Sequence, residues 1–202
     1  NVCGIPREIT HTFGAYLSDK NATTSADGTK TRTCSVCGVK ETITNEGSKL
    51  TDTTAVFADV KAKKWYTNAI NYSYSHGFIA GVSKTEFGRD QDVTRGMFIT
   101  ILARIAGVDT SKNANKVETK FTDVKSGKYY TAAIKWASDN GIVAGFGNGL
   151  FRPDDKVTRE QMCVMLVNYL ENYKHIKLCF GFRVHRQALR LNLRVFLCLA
   201  RM

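Results

Sequence analysis

Small and apolar residues recur at helical spacing in two separate stretches of the chain. They are Tyr66, Ala69, Ile70, Ser73 and Tyr74 in the first stretch, and Tyr130, Ala133, Ile134 and Ala137 in the second. Gly77 and Gly141 follow, where a left-handed residue commonly ends a helix. The pattern predicts one amphipathic helix in each stretch.

A second helix is predicted after each of these. Val-Thr-Arg at 93–95 and at 157–159 precedes another apolar face, formed by Phe98, Ile101, Leu102 and Ile105 in the first case and by Met162, Met165, Leu166 and Tyr169 in the second. Thr158 and Gln161 have the spacing of a capping box, in which each side chain bonds the backbone amide of the other residue. Thr94 can cap its helix too, but Met97 replaces the reciprocal partner.

The two stretches are copies of one unit. A shift of 64 positions aligns Phe57 with Phe121 and continues without a gap to Arg95 and Arg159. We therefore predict a first repeat at 51–107, a linker at 108–120 and a second repeat at 121–173. Each repeat is expected to consist of a helix, a glycine-containing turn and a capped helix.

The ordered landmarks in each copy resemble those of the S-layer homology domain. They are Phe-x-Asp-Val, a Tyr-x-x-Ala-Ile helix, Gly-x-x-x-Gly and Phe-x-x-Asp-x-x-Val-Thr-Arg before an apolar helix, over residues 57–107 and 121–171. The resemblance implies a mainly α fold. Proteins of this family usually carry three units in a pseudo-threefold spindle with ligand grooves between neighbours, so two units imply a partial spindle.

The same resemblance implies a function. It indicates an exported protein of a Gram-positive-type bacterium, held noncovalently at the cell surface on anionic, often pyruvylated, secondary cell-wall polysaccharide, with self-association as a way to complete three repeats. His-Glu-x-x-His, Gly-x-Ser-x-Gly and P-loop motifs are absent, so no enzyme is expected. The alternatives are a zinc-stabilised interaction or adhesion module and the non-catalytic end of a surface hydrolase.

Candidate ligand-binding residues follow from the chemistry of an acidic sugar. Arg95 and Arg159 would place a guanidinium at the positive end of a helix, and Thr94 and Thr158 lie beside them. Trp65 and Tyr129 could stack on a sugar ring, Asp59 and Asp123 could accept hydrogen bonds from its hydroxyls, and Gly81 and Gly145 would allow close backbone approach.

Each candidate also has a purely structural interpretation. The threonines could serve mainly as helix caps, and the arginines could pair with Asp59 or Asp123 within the fold. Trp65 and Tyr129 could lie at the edge of the core.

Residues 1–50 form a different, threonine-rich segment. Asp27-Gly28 is a hairpin signal with short alternating strands on either side. Cys34-Ser-Val-Cys37 has zinc-knuckle spacing, and Cys3 and His11 could complete four ligands. The segment resembles small Cys/His modules of surface proteins from Gram-positive anaerobes. A structural zinc, a Cys34–Cys37 disulfide and free thiols all stay open.

The charge of the chain is unevenly distributed. The formal net charge is +11, yet residues 174–202 hold seven of the 29 Lys and Arg residues and none of the 18 acidic ones. This basic, apolar tail could contact a membrane, but we favour a frameshifted or misassembled end in place of a third repeat. The chain contains no run of 18 apolar residues, and it begins with Asn, so we expect a fragment that lacks its original N-terminus and any export signal.

Overall fold

The computed structural model describes residues 10–176 of the chain. It divides into two compact units, Asn1–Thr53 and Thr54–Met202, a division three residues beyond the predicted boundary at 50. The predicted tail from 177 onward, and the proposed ligand Cys3, lie outside the described residues.

The first unit holds a small antiparallel sheet. Strand β1 (Leu17–Ser18) pairs with β2 (Gly28–Thr33), and β2 pairs with β3 (Lys40–Asn45). The close turn lies between β2 and β3, because Cys34–Val39 connects them, whereas Asp27-Gly28 leads directly into β2 opposite Asn45. The prediction of a hairpin was right for this segment, but its placement at Asp27-Gly28 was wrong.

The second unit holds four helices. They are α1 (Thr67–Ser75), α2 (Arg95–Ile105), α3 (Thr131–Asp139) and α4 (Arg159–Asn168), the last continued by a π-helical turn at Tyr169–Tyr173. All four lie at the positions that apolar spacing predicts. The described residues thus combine four helices with a three-stranded sheet, each confined to its own unit.

The helix ends follow the predicted capping chemistry. Gly77 and Gly141 have φ of 68° and 66°, and the amides of the residues after them bond back to the carbonyls of Ser73 and Ala137. The Thr94 side chain accepts from the amide of Met97. Thr158 and Gln161 form the predicted capping box. These four predictions are confirmed.

The main core of the second unit joins the two repeats. Phe98, Ile99, Leu102 and Ala103 of α2 belong to the same buried cluster as the side chains of the second repeat, and α2 packs against α3. The first half of the first repeat has a smaller cluster of its own, formed by Phe57, Val60, Tyr66 and Ile70. The second helix of the first repeat therefore packs against the first helix of the second repeat.

Candidate functional site

The two Val-Thr-Arg phrases lie against each other where the repeats meet. Thr94 and Lys156 form an antiparallel bridge. The amide of Val157 donates to the carbonyl of Val93 at 3.0 Å, and the amide of Arg95 donates to the carbonyl of Asp155 at 2.9 Å. We call this region the repeat junction, formed by residues 93–96, Arg104, Tyr129 and 153–157.

Arg95 is buried beneath the repeat junction, with only 4% of its surface exposed. Its Nε donates to the carbonyl of Phe151 at 3.0 Å, and its Nη1 donates to Oε1 of Gln161 at 3.0 Å. The guanidinium also stacks on the rings of Phe146 and Phe151. Burial lowers the pKa of Arg95, but an arginine stays charged at neutral pH. Its contacts make it a bridge between the repeats.

Arg159 is the repeat equivalent of Arg95 but lies exposed at the start of α4. The difference follows from position, because the second repeat covers Arg95 and no equivalent unit among residues 10–176 covers Arg159. Of the two predicted arginines, only Arg159 presents its side chain to solvent. Its ligand contact stays a prediction.

The exposed polar surface of the repeat junction is built from both repeats. The side chain of Thr94 interacts with the hydroxyl of Tyr129, and Tyr129 is 46% exposed. Burial is the largest influence on Tyr129 and raises its pKa, whereas Thr94 lowers it by less, so the hydroxyl is neutral at pH 7. Thr94 comes from the first repeat and Tyr129 from the second, so the pair exists only where two repeats meet.

Arg104 lies in the last turn of α2, at the opposite end of the helix from Thr94. Its Nε donates to Oγ1 of Thr110 at 3.2 Å, and its charge interacts with Tyr129. Burial is the main influence and lowers the pKa of Arg104. Tyr129 is thus the common neighbour of the half-buried Arg104 guanidinium and of the Thr94 hydroxyl.

Sequence reasoning missed Arg104. Its counterpart in the second copy is Asn168, whose Nδ2 donates to the carbonyl of Ile142. A search for residues shared by both copies therefore passes over it. The available signal is a basic residue in the last turn of an otherwise apolar helix, which is also common in helices without a binding role.

Trp65 occupies the position of Tyr129 in the first repeat and is 67% exposed. Its ring meets the edge of Tyr66, as Tyr129 meets Tyr130. Both predicted sugar platforms are thus at the surface rather than in the core.

Asp59 and Asp123 hold the loop that carries each Phe-x-x-Asp motif. The carboxylate of Asp59 accepts from the amides of Phe87, Gly88 and Arg89 at 2.8, 2.9 and 3.0 Å. Asp123 accepts from the corresponding amides of Phe151 and Arg152. Burial raises the pKa of Asp59, but the amides of Arg89, Phe87 and Gly88 outweigh it and hold the pKa below its usual value. These contacts give both carboxylates a structural role.

Gly81 and Gly145 pack against protein atoms. A Cβ at Gly81 would lie 2.5 Å from the Phe57 ring, and one at Gly145 would lie 2.7 Å from the Phe121 ring. Each glycine is therefore required by its own loop, independently of a ligand.

The first unit contains a cluster of metal-ligating side chains. Ligand atoms of His11, Cys34 and Cys37 all lie within 4.8 Å of one another, and Cys37 Sγ is 3.2 Å from His11 Nδ1. Backbone amides of Cys37 and Val36 donate to Cys34 and, with His11, lower its pKa to about 6. Both cysteines are free thiols. One imidazole nitrogen and two thiols are a donor set that fits a borderline-soft cation.

Comparison with known proteins identifies the repeats. The S-layer homology domain model matches residues 56–97 and 120–163. The chain is 34% identical over 118 residues to an S-layer protein of Bacillus thuringiensis subsp. finitimus and 38% identical over 119 residues to an endoglucanase of Bacillus sp. (strain KSM-635), which is 58% and 57% of this chain. It is 30% identical over 139 residues, 68% of its length, to a cell surface protein of Thermoanaerobacter kivui.

These alignments cover only 14%, 12% and 18% of the three relatives. No helix among residues 10–176 has the length and apolarity needed to cross a membrane. The matched domain is a cell-wall-anchoring module, not a catalytic one. The chain therefore carries two S-layer homology domains, at residues 56–97 and 120–163, and over them it is similar to bacterial surface proteins such as these three.

Proposed function

We propose that the chain anchors a surface protein noncovalently to the cell wall by binding an acidic, pyruvylated wall polysaccharide at the repeat junction. The observation that carries the proposal is the half-exposed Tyr129 of the second repeat, which interacts with Thr94 and with Arg104 of the first repeat. A planar guanidinium suits a sugar carboxylate, and an exposed ring suits the apolar face of a sugar. Half-burial of Arg104 strengthens its attraction to an anion because water screens it less.

The other predicted residues have supporting roles in this proposal. Arg95 joins the two repeats beneath the repeat junction, and Asp59 and Asp123 each hold a loop of their own repeat through backbone contacts. Arg159 and Thr158, at the exposed start of α4, form a weaker second anion site. Gly81 and Gly145 allow the loops to close. Trp65, at the position of Tyr129 in the first repeat, would provide a ring for a sugar there.

The test is direct titration of the full chain with purified acidic wall polysaccharide. Arg104→Gln removes a charge-assisted hydrogen bond, which contributes about 1.5–3 kcal/mol, so affinity should fall roughly 10- to 100-fold. Tyr129→Leu should also weaken binding, because the ring and its hydroxyl are lost. Lys112→Gln is the matched control, since it removes one exposed charge from the linker. Equal effects of Arg104→Gln and Lys112→Gln would reject the repeat junction as the site.

A second candidate function rests on the group of metal-ligating side chains in the first unit. We infer that His11, Cys34 and Cys37 hold a structural zinc ion, with Cys3 as the proposed fourth ligand, and that this unit acts as an adhesion or interaction module. Tetrahedral zinc with bonds of about 2.0–2.3 Å holds its ligand atoms about 3.5–3.8 Å apart, and small side-chain rotations would bring these three donors to that spacing. Metal analysis of the purified full chain should give one zinc, and Cys37→Ser should lose it.

The relatives also support a place at the non-catalytic end of a surface hydrolase. The endoglucanase of Bacillus sp. (strain KSM-635) and an endo-1,4-beta-xylanase A of Thermoanaerobacterium saccharolyticum each match about half of this chain over 12% and 9% of their own length. Anchoring and attachment to an enzyme are compatible. The proposal also includes self-association as a route to the partial spindle's missing neighbour.

A further inference from the structure

The buried stripe along α2 has a counterpart on α4 that no part of residues 10–176 buries. Gly96, Ile99, Thr100 and Ala103 form a continuous buried stripe at helical spacing. The 64-residue repeat maps them to Glu160, Cys163, Val164 and Val167. The first three of these are exposed, and Val164 has 58% of its surface free. We call these four residues the α4 stripe.

The cover on α2 is the first half of the next repeat. Helix α2 packs against α3, in which Ala133, Ile134 and Ala137 are fully buried. The contact is closest at Gly96, where an added Cβ would lie 2.9 Å from the ring of Tyr130. The first half of a repeat is therefore the surface that fits such a stripe.

The chain has a second copy of that surface in its first repeat. Helix α1 corresponds to α3, and the turn after it corresponds to the turn after α3. Phe78 and Ile79 are half-buried, whereas their counterparts Ile142 and Val143 are buried. The α1 surface thus keeps part of its apolar area uncovered.

Charges at the closest contact favour pairing of these two surfaces. In the existing interface, Gly96 lies against Tyr130 and the backbone of Pro153. The repeat replaces Gly96 by Glu160 and Pro153 by Arg89. Arg89 stacks on Tyr66, the counterpart of Tyr130, and one of its two terminal nitrogens pairs with Asp90. Because Glu160 is longer than glycine, the Tyr66 ring would have to lie farther from α4 than the Tyr130 ring lies from α2. At that separation the Glu160 carboxylate could reach Arg89. An acid and a base thus stand where the existing interface uses a glycine and a proline.

We propose that a second copy of this chain seats its α1 surface on the α4 stripe, with Glu160 paired to the second copy's Arg89. The contact is heterologous, since two different surfaces meet, so each chain keeps one free surface of each kind and larger assemblies can form. It would also bring Thr158 close to the second copy's Trp65, as Thr94 lies by Tyr129. This contact rests on the self-association included in the proposed function, and it can be tested separately from polysaccharide binding.

Sedimentation velocity of the full chain over a range of concentrations tests the proposal without any polysaccharide. The wild type should shift from monomer to larger species as concentration rises. Glu160→Arg and Arg89→Glu should each weaken association at least tenfold, and the double variant should recover most of the loss because the charges are exchanged. Glu118→Arg, an exposed reversal in the linker, should have no effect.

Cys163→Asp gives an independent check, because it places a charge in the middle of the α4 stripe at an exposed position that the fold tolerates. It should abolish association while the far-ultraviolet circular dichroism stays unchanged. A wild type that stays monomeric at every concentration would overturn the proposal. So would association that survives Glu160→Arg and Cys163→Asp, since another surface would then be responsible. Loss of polysaccharide binding alone would bear only on the proposed polysaccharide site.

Discussion

Residues at equivalent positions of the two repeats have different physical roles. Arg95 is enclosed by carbonyl, amide and aromatic groups of the second repeat, whereas Arg159 is exposed at the start of α4. The same three-residue phrase therefore supplies a buried bridge in one copy and a surface cation in the other.

This difference predicts unequal stability effects of one substitution. Arg95→Met leaves the carbonyl of Phe151 and the side chain of Gln161 without their buried donor, so the free energy of unfolding should fall by about 2–4 kcal/mol. Arg159→Met should lower it by less than about 1 kcal/mol, as is typical of exposed charges. Urea denaturation of the full chain, followed by helical circular dichroism, measures both. Equal losses would contradict the buried-bridge role.

Asp59 makes stability depend on pH in acid. Its pKa in the folded chain lies below the unfolded value, so the carboxylate stabilises the fold fully above the unfolded pKa, about 3.9. That contribution disappears as the pH falls through the folded value. Asp59→Asn should destabilise the chain at pH 7 and flatten the acid limb of its stability profile. An unchanged acid limb would show that the three amide bonds contribute nothing to it.

Zinc binding by His11, Cys34 and Cys37 should be lost at a higher pH than the stabilisation that Asp59 provides. The pKa of Cys34 is about 6, so the thiolate is available at neutral pH and is protonated below that value. Zinc should therefore stay bound at pH 7 and be released as the pH falls below about 6, measured with a chromophoric chelator. Ser35→Ala is the control, because it leaves all three donors in place. Zinc-to-chain ratios near zero at pH 7 would contradict the site.

At the scale of elements, the interface between α2 and α3 depends on one glycine. A Cβ on Gly96 would lie 2.9 Å from the Tyr130 ring and 3.0 Å from the carbonyl oxygen of Pro153. Gly96→Ala should therefore destabilise the second unit by about 1–3 kcal/mol, although alanine favours helices. Gly14→Ala is the control, since its Cβ meets only the Thr33 carbonyl at 3.9 Å. A gain in melting temperature for Gly96→Ala would contradict this packing.

Elements and their ends were predictable because their signals are local. Apolar spacing placed four helices, and Thr158 with Gln161 specified a helix start that the hydrogen bonds confirm. Pairing between helices was not predictable, because periodicity gives a helix an apolar face without identifying what covers it. The packing of α2 on α3 of the next repeat, and the close turn at Cys34–Val39, both depend on such nonlocal choices.

At the scale of the whole molecule, the repeat explains both the success and the limit of the sequence-based site. Comparison of the two copies identified Thr94 and Tyr129, which meet at the repeat junction. The same comparison assumed that equivalent residues have equivalent surroundings. Burial of Arg95 and the exposure of α4 arise only when one repeat packs on another. Arg104 escaped notice because its counterpart in the second copy, Asn168, is not basic.

Sedimentation of the full chain with cell walls tests the central claim most directly. Walls that carry the acidic polymer should pellet the wild-type chain, and walls from which that polymer has been chemically removed should not. Arg104→Gln should leave most of the chain in the supernatant with intact walls, while Lys112→Gln should pellet like the wild type. Pelleting that is unchanged by removal of the polymer, or by Arg104→Gln, would contradict anchoring through the repeat junction.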